Sequence, residues 1–187
     1  MKRLVPLGLL FVLLVLFRAL AAAFPNDLPN FQPLLAVFFC GALLATGWQA
    51  WAMPLAAWAL TYPLGVGHTG SWSLFLTTLL ALGATFVLGK FLAKRGAVTL
   101  LLGSVVAALS FHLITCGAAW LGDPRYAKSL AGFYQSVWAG APSDVLPSWV
   151  FLRNLLAANL LFTGLVIVAR NGLPVLRSSR TQPIISH

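Results

Sequence analysis

Arg18, His112 and Arg153 draw attention because each is a chargeable side chain set among apolar residues. An arginine in hydrocarbon is costly, so it either faces a polar cavity or reaches the interface along its aliphatic stem. Arg18 lies in "LFRALAAAFPNDLPNFQP", where it could snorkel toward Asp27 or bind an anionic group from the wall of a cavity. Arg153 and Asn154 open the last apolar run, and Asn159 follows about one and a half turns deeper on a helix. Arginines at matching depth on the first and last runs fit a polar outer vestibule, or simple anchoring at helix ends. His112 sits within another run, with Thr115 and Cys116 three and four residues on, on one helical face. An intramembrane histidine is a functional candidate, or else a hydrogen-bonded packing residue.

Other chemistries find little support. Bis-histidine haem needs a second histidine at matching depth, but His68 falls in a loop and His187 in the tail. Cys40 and Cys116 lack metal-ligand spacing. "GVGHTGSW" has glycines without the lysine of a phosphate-binding loop, and its Ser71 precedes a helix instead of lying inside one, unlike an intramembrane protease serine. No catalytic role, metal or cofactor is expected.

Positioning these residues requires elements of a particular kind. The 187 residues are 60% hydrophobic and 8% charged, more apolar surface than one soluble core would hide. The expectation is an all-α integral membrane protein in a lipid bilayer. The net charge of +9 then reports topology rather than a nucleic-acid partner.

Four runs are long enough to span: 4–24, 72–92, 97–121 and 149–169. The interval 33–66 is too long for one helix and carries Pro54 and Pro63. Reading it as a hairpin of spans 33–47 and 51–66 gives six spans. Lys2 and Arg3, then Lys90, Lys94 and Arg95, then Arg170, Arg177 and Arg180 then share the cytoplasmic side with both termini, and Asp27, Asp123 and Asp144 lie outside. Segment 126–140 is too polar to span and predicts an interfacial or re-entrant helix. Residues 171–187 form a basic cytoplasmic tail. The "MKR" start and "ALAAA" also resemble a secretory signal, against which Arg18 argues.

Small residues four apart, Ala19 with Ala23, Gly41 with Ala45, Ala52 with Ala56 and Gly103 with Ala107, permit close helix packing. Separately, "PNFQPLLAVFFCGA", "YAKSLAGFYQSVWAGAP" and "RNLLAANLLFTGL", together with "LLGS" and "GAAWL", make a pattern whose order and spacing cover most of the chain. The chain resembles an uncharacterised bacterial family of small membrane proteins described as transport proteins. That family in turn is similar to the substrate-binding S components of energy-coupling-factor transporters.

The resemblance implies a compact six-helix bundle in the bacterial inner membrane, with an outward pocket beneath the loops after spans one, three and five. It implies a small-molecule solute and a transmembrane coupling subunit with ATPases, docked near Ala19, Ala23, Ala52 and Ala56. The family pattern has acids where this chain has Tyr62 and Asn159, and an asparagine where it has Cys116. Those departures imply a different ligand, or a pocket turned to a structural role. Candidate solute contacts are Arg18, Asn30, Tyr62, His112, Cys116, Arg153, Asn154 and Asn159. A solute-binding or uptake protein, energised by partner subunits or a gradient, is the leading expectation. The alternative is a non-catalytic subunit of a larger membrane complex.

Overall fold

The computed structural model describes residues 12–17, 19–20, 23–24, 28–45, 47–66, 72–142 and 144–172. Every regular element among them is helical: α1 (Leu34–Leu44), α2 (Gln49–Val66), α3 (Trp72–Leu92), α4 (Ala97–Gly122), α5 (Leu130–Trp138) and α6 (Ser148–Gly172). Residues 12–17 and 19–20 are helical as well.

The shortest of the apolar helices is the hub. α1 reads "LLAVFFCGALL", apolar on every side, and an all-round apolar helix belongs inside a bundle. It packs on α2, α3, α4 and α6. At two points its neighbours meet it through glycine. A Cβ at Gly89 of α3 would run into the Phe39 backbone carbonyl, and one at Gly41 of α1 would run into the Ala50 carbonyl of α2. Gly103 of α4 likewise leaves room for Leu92 and the Phe39 ring. Two of the small-residue pairs in the sequence are therefore internal packing contacts.

α3, α4 and the 148–171 stretch of α6 are long and apolar enough to cross a membrane. Their exposed faces are apolar, including Leu76, Leu80 and Phe91 on α3 and Val98, Leu102 and Leu113 on α4. Six spans were expected, and among the described residues three helices meet the requirement. The difference has a physical cause on each side of the 33–66 hairpin. α1 has 11 residues, about 16 Å of helix against a hydrocarbon core of about 30 Å. α2 has 18 residues, but Gln49, Thr61, Pro54 and Pro63 dilute its hydropathy. The expected first span, 4–24, lies largely outside the described residues, and the tail after residue 172 lies wholly outside them.

α6 presents a paired stripe to this hub. Asn154, Leu155, Ala158, Asn159, Phe162, Thr163, Val166 and Ile167 are all buried, two residues in each turn. Phe162 meets Phe17 edge-on at 5.1 Å and Phe31 at 6.4 Å, which ties the first helical segment and the 28–33 loop to α6.

α5 forms within the segment expected to hold a short helix. Ser129 caps it by accepting from the Gly132 amide at 3.2 Å. The helix buries Gly132 and Ser136 and turns Leu130, Tyr134 and Trp138 outward. A stripe of exposed apolar and aromatic residues suits headgroup depth.

Candidate functional site

The buried polar side chains of α6 define the site. Asn154 donates from Nδ2 to the Pro29 carbonyl at 3.0 Å, joining α6 to the loop that precedes α1. Five residues deeper, Asn159 donates from Nδ2 to the Ser104 carbonyl of α4 at 2.6 Å. One turn further, Thr163 lies 4.0 Å from the Cys40 sulfur of α1. This polar seam runs down the line where α1, α4 and α6 meet.

Several polar groups in the bundle are satisfied within their own helix. Thr61 and Thr85 return their hydroxyls to carbonyls four residues back, at 2.7 and 2.9 Å, and Ser104 donates to the Leu101 carbonyl at 2.8 Å. Two atoms of the described residues are not. Asn159 Oδ1 and the Tyr62 hydroxyl are buried without a hydrogen-bond partner among the described residues. Asn159 is only 1% exposed, so water does not reach it readily from the bundle surface. A buried orphan of this kind costs about 1–3 kcal/mol. Tyr62 sits in an aromatic cage, with Trp58 and Phe75 rings each at 5.2 Å.

The remaining candidates separate into distinct surroundings. His112 is buried, and its Nε2 lies 2.9 Å from the Val137 carbonyl at the end of α5. A carbonyl only accepts, so Nε2 carries the proton and donates. Cys116 is half-buried with its sulfur 3.6 and 3.8 Å from the two ring nitrogens. His112 thus holds α5 against α4 and does not point to the α6 seam through any bond shown. Asn30 adopts φ 59°, a left-handed conformation that asparagine tolerates, and its carbonyl accepts from the Gln32 amide at 3.0 Å. Its visible role is to turn the chain into α1.

Arg153 is exposed rather than buried beside Asn159. Its guanidinium lies 5.4 Å over the Trp149 ring, which stacks on Trp138 at 6.4 Å, and its Nε donates to Asn154 Oδ1 at 3.3 Å. Arg18, His68 and Ser71 lie outside the described residues. Of the expected docking alanines, Ala19, Ala23 and Ala56 are exposed and Ala52 is half-buried.

Residues 1–178 match a family of unknown function, DUF6580. The chain belongs to that family. No curated protein and no solved structure matches it. Membership therefore brings no assigned chemistry to the seam, and the site must be read from its own geometry.

Sequence reasoning missed the clasp above the bundle. Arg125, just beyond α4, bonds Asp123 through Nη2 at 2.6 Å and Nε at 2.9 Å, and reaches Asp144 through Nη1 at 2.9 Å. Asp144 Oδ2 also accepts from the Ala141 amide at 3.1 Å. Lys128 donates to the Trp120 carbonyl and, at 2.9 Å, to that of Asp123. The clasp joins the segments on both sides of α5. Hydrogen bonding from Arg125 holds the Asp123 carboxyl below its usual range, and the two carboxylates, Asp123 first, push the Arg125 guanidinium higher still. Burial raises the Tyr126 phenol, with Asp144 adding to the effect. The acids and their spacing were visible in the sequence, but only the fold brings Asp144 back to Arg125 across α5.

Proposed function

We propose that this chain is a membrane solute-binding or uptake protein whose solute is held on the α6 seam. The observation that carries the reading is Asn159: its amide is anchored to Ser104, while its buried carbonyl oxygen has no partner among the described residues. In a bundle with lipid around it no solvent is at hand to satisfy such an acceptor, and a bound hydrogen-bond donor would do so. The Tyr62 hydroxyl on α2, also buried and unpaired among the described residues, is the second polar group assigned to the solute in this proposal, and its surroundings are apolar and aromatic. Such surroundings fit a small, partly apolar solute bearing a hydroxyl or an amine.

The resemblance noted in the sequence implies acids at both positions. The substitution of neutral groups favours an uncharged solute over a cationic one. A six-span bundle opening outward, with a coupling subunit and ATPases or an ion gradient as the energy source, is the fuller form of this proposal. The chain has no phosphate-binding loop of its own.

The exposed Ala19, Ala23 and Ala56 favour a second reading, an accessory subunit docked in a larger membrane complex. Native mass spectrometry of the chain purified in mild detergent separates the two. A retained small molecule that is lost from an Asn159→Leu variant supports solute binding. Stoichiometric recovery with a large complex, and no small molecule, overturns it.

A further inference from the structure

Four cations gather where α3 turns into α4. Lys90, Lys94 and Arg95 are exposed around a turn closed by the Arg95 amide on the Leu92 carbonyl at 2.8 Å. Arg170, near the end of α6, is half-buried and donates Nη1 to the Ala93 carbonyl at 3.2 Å. That bond, between residues 77 apart in sequence, seats the last turn of α6 against the α3–α4 turn. It keeps a guanidinium within the lysine cluster instead of free in solvent.

The described acids are far away. Asp123 and Asp144 are both held by Arg125 beyond the other end of α4, whose 26 residues span about 39 Å. Neither of these two acids neutralises the cationic end. Apolar surface begins next to it: Phe91 follows Lys90 directly and is 77% exposed, Val98 lies three residues after Arg95, and Leu102 one turn below. A soluble acidic partner would leave those side chains uncovered, and a free anion would not use them. An amphiphile with a negative headgroup satisfies both halves.

We propose that the α3–α4 turn and Arg170 form a binding site for an anionic phospholipid. The phosphate-bearing headgroup lies among Lys90, Lys94, Arg95 and Arg170, and the acyl chains run along Phe91, Val98 and Leu102. Arginine supplies paired donors to the phosphate oxygens, and the lysines act as point charges. The site is independent of the α6 seam.

The test uses the full chain in detergent micelles doped with equal parts of phosphatidylglycerol and phosphatidylcholine, with bound lipid measured by native mass spectrometry. The wild type should retain phosphatidylglycerol over phosphatidylcholine by at least about fivefold, roughly the factor one surface cation contributes. The combined Lys90→Gln, Lys94→Gln, Arg95→Gln variant should retain the two at the mixing ratio, with its unfolding midpoint unchanged. If the combined variant does not fold, Lys90→Gln alone should still lower the enrichment. Retention by the wild type at the mixing ratio overturns the proposal, as does enrichment that survives both variants. Displacement of phosphatidylglycerol by millimolar inorganic phosphate also overturns it, because a lipid anchored by its chains resists a free anion.

Discussion

Asn159 donates to the Ser104 carbonyl at 2.6 Å and leaves its own oxygen buried and, among the described residues, unpaired. The two halves of this amide make opposite contributions. The bond to Ser104 adds about 1 kcal/mol net, and the orphaned oxygen costs about 1–3 kcal/mol. Asn159→Leu, which keeps the branched skeleton and drops both polar atoms, should therefore unfold within about 1 kcal/mol of the wild type, or later. Its retained solute should be lost in native mass spectra. Equal retention by the variant would show that the oxygen serves no ligand.

Tyr62 allows a milder version of the same experiment. Tyr62→Phe removes only the unpaired hydroxyl and keeps the ring between Trp58 and Phe75. Thermal stability should stay level or rise by up to about 1 kcal/mol. Solute affinity should fall by about tenfold, the effect of one lost hydrogen bond. A stability loss beyond about 1 kcal/mol would instead mean that the hydroxyl has a partner within the bundle.

The Arg125 clasp predicts a pH dependence with a definite sign. The Asp123 carboxyl titrates lower in the folded chain than in the unfolded one. Its contribution to stability is thus present above the unfolded value, about 3.9, and is lost as pH falls through the folded value. Hydrogen-exchange protection at 123–129 and around Asp144, taken relative to the intrinsic exchange rate at each pH, should fall below about pH 4 and stay flat above pH 5. Arg125→Gln should lower protection there at neutral pH and remove most of the acid dependence. The exposed pairs contribute little to global stability, so the unfolding midpoint should barely move. An acid response that persists in Arg125→Gln would assign it to other groups.

Much of the fold was legible because long apolar runs have few alternatives. The stretches that became α3, α4 and α6 are apolar over the length of a crossing, and a helix is the structure in which one such run satisfies its own backbone in lipid. α1 was harder to place. "LLAVFFCGALL" is as apolar as a span, and only its neighbours decide that it lies inside the bundle with 11 helical residues. The site was legible by residue type and not by grouping. Asn154 and Asn159 were named from their place on one run, and the structure puts both on the buried stripe. His112 and Arg153 were named on the same grounds, yet one braces α5 and the other stacks on Trp149. Helical spacing gives the face of a residue, but the partner across that face comes from tertiary packing.

Two glycines on α3 isolate how the hub is seated. Alanine normally favours a helix over glycine by about 1 kcal/mol. Gly83 has open space around its α-carbon, so Gly83→Ala should raise stability by up to about 1 kcal/mol. At Gly89 the added methyl would meet the Phe39 backbone carbonyl, which cannot rotate aside as a side chain would. Gly89→Ala should force α3 away from α1, lose about 1–3 kcal/mol, and weaken solute retention through the displaced hub. Thermal unfolding of the two variants side by side checks the claim. If both alanines stabilise, α1 does not pack on α3 through Gly89, and the central position of the short helix fails with it.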